Sequence, residues 1–181
     1  MKYLSLIHAY IVQIILNLIP FFWMDVFYDN MTHIGNALHH PIYLLLWASS
    51  TAAGLYTYSI LIWNHYKIEY NKSLHFLICA GWILSCSIPY NDALPFWIND
   101  AHVWIAITST VGFGLEWIYL YTKKESFIYS EIKTLLFVLQ CVFAICFIAL
   151  CLASHVNGFC EILFSVLVNI ILVNFLFRHV F

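Results

Sequence analysis

The sequence predicts an all-α polytopic membrane protein, a six-transmembrane-helix bundle with both termini in the cytoplasm. Three observations predict it. The 181 residues are 64% hydrophobic and only 9% charged, far from the balance of a water-soluble domain. The apolar residues gather into six runs, most of them near the ~20 residues that a helix needs to cross ~30 Å of hydrocarbon. Drawing six crossings places all seven Lys and Arg residues on one side or at its edge, and the positive-inside rule makes that side the cytoplasm.

The predicted spans are 3–23, 41–63, 74–88, 101–121, 132–153 and 159–177, within one domain covering 1–181. The first run follows Lys2 but is longer than the apolar core of a secretory signal and lacks a small-x-small site, so it reads as a retained span. The third is the shortest and is closed by Pro89, which cannot continue a helix without losing a backbone bond. The second span carries Ser49, Ser50, Ala53 and Gly54, and the fourth carries Ala106, Ser109, Thr110, Gly112 and Gly114. Small residues let helices approach closely in lipid, so these two spans are expected at the packed centre. The fifth and sixth are expected to face more lipid.

Six crossings put Lys2, Lys67, Lys72, Lys123, Lys124, Lys133 and Arg178 inside, and Asp25, Asp29, Asp92, Asp100 and Glu161 outside. The outer face is therefore acidic. Aromatic residues sit where headgroup anchors are expected, at Trp23, Tyr28, Trp97 and Trp104 outside and at Trp63, Tyr66, Tyr70, Tyr119 and Tyr121 inside. Few, dispersed basic residues argue against nucleic-acid binding. The expected partners are the bilayer itself and a lipid or small-molecule ligand.

Two outer segments concentrate side chains that can bind ligands or metals. The first contains Asp25, Asp29, His33, Asn36, His39 and His40; as a helix it would place Asp25, Asp29 and His33 on one face. The second contains Asp92, Asp100 and His102, with Asp100 also suited to a helix N-terminus. His33, His39, His40 and His102 are the candidate ligands of a divalent metal such as zinc. His40 and His102, at the outer ends of the second and fourth spans, also make one bis-histidine haem conceivable, ranked behind the metal. The sequence has no HExxH, HxxxH or CxxC spacing.

In the fourth span His102, Ser109 and Glu116 recur every seven residues and share a stripe about 21 Å long. Glu116 is the one acidic residue well inside a span, so it should face the bundle interior. His8 of the first span is its expected partner, with His65 and His75 nearer the inner interface. The six cysteines form no redox spacing and read as small apolar fillers.

The polar loop through Thr32, His33, Ile34, Gly35 and Asn36 into a small-residue span, and then Pro89 before Asn99, Asp100, Ala101 and His102, resemble the six-span membrane proteins of the DRAM, Frag and Sfk type over the first four helices. The resemblance implies a role in membrane-lipid homeostasis or signalling and carries over no catalytic residue. A zinc hydrolase of the alkaline ceramidase and adiponectin-receptor type would need seven spans and a late HxxxH, which this chain lacks. The leading expectation is an outer Asp/His pocket, with Asp25, Asp29, Asn36, Asp92, Asp100, Ser109 and Glu116 as ligand-binding candidates. The pocket would take a small ligand, lipid headgroup or divalent cation. A metal-dependent membrane hydrolase using the outer cluster is the alternative, followed by a small transporter or haem-binding protein.

Overall fold

A computed structural model describes residues 2–90, 94–123, 129–153 and 155–181. Its helices are α1 (Lys2–Trp23), α2 (Met31–Asn36), α3 (Pro41–His65), α4 (Lys72–Ser87), α5 (Phe96–Tyr121), α6 (Ser130–Ala153) and α7 (Gly158–His179). Every predicted span is a helix, and α2 is a short addition in the segment between the first two. Among the described residues five helices, α1, α3, α5, α6 and α7, are long and apolar enough to cross a membrane. The 16-residue α4 rises only about 24 Å.

Local chemistry sets the helix starts. Asn30, Asn71 and Asn157 each accept from the backbone N–H three residues on, capping α2, α4 and α7. Pro41 occupies the first turn of α3, where its missing N–H is harmless. Pro20 lies inside α1 and leaves the Leu16 carbonyl without its usual helical donor; the Tyr43 hydroxyl of α3 donates to that oxygen instead. A π-helical turn at His8–Val12 interrupts α1 next to its one histidine.

Successive long helices run in opposite directions between two ends. At one end the loop after α1 meets the start of α7: Gly158 N donates to Asp29 O at 2.6 Å and Phe159 N to Val26 O at 2.8 Å. Ser85, near the end of α4, meets His102, near the start of α5, at this same end. At the other end Tyr66, after α3, packs on Tyr129 and Phe175, and Lys2 lies over Phe177. The short α4 thus traverses the bundle beside its longer neighbours.

The centre differs from expectation. Over the most apolar stretch, 56% of α7 and 50% of α3 is buried, against 33% of α5 and 22% of α6. The second span is central and the fifth peripheral as expected, but the sixth replaces the fourth at the centre. Side-chain amides and hydroxyls explain the exchange. Ser165 and Asn169 of α7 are buried, and Ser165 binds across to α1 and α3, while the small residues of α5 are divided between α4, met at Ser109 and Gly112, and α6, met at Gly114. Trp63, expected as a headgroup anchor, is fully buried against His75 and Trp117.

The axis of the bundle is polar. Gln13 Nε2 donates to Ser50 Oγ at 2.9 Å, and Trp47 Nε1 donates to Asn17 Oδ1 at 2.8 Å. Ser165 Oγ donates to Gln13 Oε1 at 3.1 Å and shares a hydrogen bond with Thr51 Oγ1 at 2.7 Å. In hydrocarbon each of these groups needs a protein partner, so the network ties α1, α3 and α7 in one register. A Cβ added to Gly54 would overlap Asn169 Oδ1, which shows how closely α3 and α7 approach there.

Candidate functional site

The segment between α1 and α3 folds back over the end of the bundle. Residues 25–29 form a turn rather than a helix, with Asp25 Oδ1 accepting from Phe27 N at 3.0 Å. The expected single face of Asp25, Asp29 and His33 is therefore not built, because the Asn30 cap restarts the chain as α2. Asp29 still meets His33, Nδ1 to Oδ1 at 3.6 Å, and its second oxygen accepts from Asp25 N at 3.2 Å.

Beside this pair is a cavity of about 220 Å³ lined by Tyr28, Asp29, Asn30, Thr32, His33, Asn36, Ala37 and Tyr90. Asn36 closes one wall by donating to Thr32 O at 3.1 Å and accepting from Tyr90 N at 3.3 Å. Glu161, at the start of α7, holds the other end of α2 by accepting from Met31 N at 2.6 Å. His155 bridges the Ala153 and Tyr28 carbonyls at 2.7 and 2.8 Å, fastening the Tyr28 edge to the α6–α7 connection.

Asp29, His33 and Asn36 are thus brought together, and Thr32 carries the pocket floor down to His102. The His102 Nδ1 donates to Ser85 O at 2.7 Å, and a carbonyl can only accept. Its Nε2 then accepts from the Thr32 hydroxyl at 3.1 Å. This neutral tautomer leaves His102 without a free lone pair for a metal or haem iron. His40 stacks on Trp23 at 4.6 Å, while His39 is exposed on a left-handed residue, φ 59°.

The expected metal centre of His33, His39, His40 and His102 does not assemble: among the described residues no group of three His, Cys, Asp or Glu side chains is placed to hold an ion. Asp100 is exposed one turn inside α5, because the helix starts at Phe96 rather than at Asp100. Asp92 lies outside the described residues.

Ser109 and Glu116 are far down the same stripe of α5. That stripe is a closed seam rather than a path: Ser109 packs against Gly81, Phe113 is fully buried, and Glu116 pairs with α4. His75, not His8, is its partner, Nδ1 to Oε2 at 2.6 Å. His8 instead binds Tyr58 at 2.6 Å and Ser50 at 3.0 Å.

Sequence reasoning missed Gln13, Asn17, Thr51 and Ser165. The four-residue spacing of Gln13 with Asn17, and of Ser165 with Asn169, was the available signal, since it places each pair on one helix face.

Fold and site together define a multi-pass helical membrane protein with a polar pocket at one end of its bundle. Comparison finds no family model, no curated protein and no solved structure that matches the chain.

Proposed function

We propose that the chain crosses its membrane six times with both termini cytoplasmic, and that its outer pocket binds a small polar ligand or lipid headgroup in membrane-lipid homeostasis or signalling. The cavity joining Asp29, His33, Asn36 and Tyr90 carries this reading. Alternating helix directions put Lys2, Lys67, Lys72, Lys123, Lys133 and Arg178 by their positions at the end opposite the pocket, which supports the orientation. A bilayer accommodates the short α4 by thinning locally, at modest cost per Å.

The pocket's chemistry favours cations over anions. Among the described residues its lining includes the Asp29 carboxylate but no Lys or Arg, and Tyr28 and Tyr90 border it with aromatic rings that can attract an ammonium group. An ethanolamine or choline headgroup suits such a lining. Thermal unfolding of the detergent-solubilised chain with glycerophosphoethanolamine or glycerophosphocholine tests this. One of them should raise the midpoint of the native chain and leave Asp29→Asn unchanged. Equal shifts in both proteins, or none in either, would refute the pocket's role.

A further inference from the structure

Of the five long helices α6 is the least buried, and one residue on its free face is polar. Gln140 is exposed near the middle of α6, ~15 Å along the axis from Ser130 and further still from Ala153. Gln13, Asn17, Asn169 and Asn174 of α1 and α7 each bond within the chain, whereas Gln140 has no hydrogen-bond partner among the described residues. It borders a groove of about 240 Å³ between α5 and α6 whose lining is otherwise apolar and aromatic. Lipid tails can fill that groove but offer the amide no partner, and both helix ends are too far away for the side chain to reach water.

The exposed neighbours of Gln140 follow a seven-residue repeat. Phe137, Ala144 and Cys151 recur every seven residues, and Gln140 and Phe147 each come three residues after one of them, all five exposed. Helices that pack side by side in a left-handed pair use this spacing, and a single polar residue in such a seam fixes its register. We infer that this face is a dimer interface, at which two copies of the chain pack α6 against α6 and hydrogen-bond their Gln140 amides to each other. The inference is independent of the outer pocket.

Symmetry selects a second copy over an unrelated helix. Every copy is inserted the same way up, so the two-fold axis of a dimer lies along the membrane normal and brings each seam residue against itself at equal depth. A carboxamide carries both a donor and an acceptor, so two of them at one depth satisfy each other. An unrelated helix would need an amide of its own at that level. Ala144, one turn from Gln140, lets the two backbones approach where the amides meet, and Phe137 and Phe147, 66% and 65% exposed, gain cover on either side of it. Ile145, 49% exposed, lies about 140° round the helix from Gln140 and stays in lipid.

The test is disulfide cross-linking of the full-length protein in membranes with copper phenanthroline as oxidant, alongside energy transfer between labelled copies diluted into phosphatidylcholine vesicles. The native chain should give a covalent dimer that persists in Cys141→Ala and is lost in Cys151→Ala. On the Cys151→Ala background, Ala144→Cys should restore the dimer and Ile145→Cys should not. Gln140→Leu should weaken association about tenfold, the worth of one interhelical hydrogen bond, and Gln140→Asn, which keeps the amide, should recover most of it. Since Gln140 bonds to nothing in its own chain, Gln140→Leu should leave the unfolding midpoint of the detergent-dispersed monomer unchanged. Energy transfer no greater than chance at every dilution, unaltered association in Gln140→Leu, equal cross-linking through Ile145→Cys and Ala144→Cys, or a Cys151 cross-link to a different protein in place of the dimer would overturn the proposal.

Discussion

His75 Nδ1 and Glu116 Oε2 are 2.6 Å apart, joining the first turns of α4 to the last turns of α5 with both side chains buried. The pair keeps one acidic and one basic group together where neither is tolerated alone. Removing one partner should cost about 3–5 kcal/mol, whereas replacing both with apolar residues should cost less than the sum of the single changes. Unfolding of His75→Leu, Glu116→Leu and the double variant measures this. Additive losses would show that the two residues do not act as a unit.

The axial network gives a second prediction. Asn17→Leu removes the acceptor of Trp47 Nε1 and the donor to Gln13, leaving a buried indole N–H unmet. A loss of about 1–3 kcal/mol is expected from that unmet group. Asn174→Leu, whose partner Tyr10 is exposed, should cost less in the same assay. Equal losses would mean that burial does not set the strength of these bonds.

Two glycines should answer alanine differently. At Gly54 the new methyl would overlap Asn169 Oδ1 and approach His8 Cε1 to 2.9 Å, so Gly54→Ala should destabilise by about 1–3 kcal/mol through overpacking. At Gly112 it would meet Ile78 at 3.4 Å, an ordinary contact, and Gly112→Ala should be nearly neutral or favourable. Comparing their unfolding midpoints checks the contrast, which would fail if Gly112→Ala proved the more harmful.

These residues also show what sequence patterning reaches and where it stops. Hydropathy located every long helix, because each must satisfy its backbone within itself and expose an apolar surface. Asp29, His33 and Asn36 were legible as a cluster because one short segment holds them. The partner of Glu116 was not. Depth alone admits His8 or His75, and only the packing of α5 on α4 decides between them. The central place of α7 was similarly hidden: its composition is that of a lipid-facing helix, while Ser165 and Asn169 turn one narrow face into the core. The metal reading failed for a related reason, since His102 spends both ring nitrogens on Thr32 and Ser85.

A six-crossing chain with its polar pocket outside exposes its loops to opposite sides of the membrane. Single cysteines at Ala37, which lines that pocket and is exposed, and at Lys67, beyond the far end of α3, test it with a membrane-impermeant maleimide applied to intact cells. Ala37→Cys should be labelled at once, while Lys67→Cys should be labelled only after the membrane is opened. Labelling of Lys67→Cys in intact cells, or protection of Ala37→Cys until lysis, would contradict it.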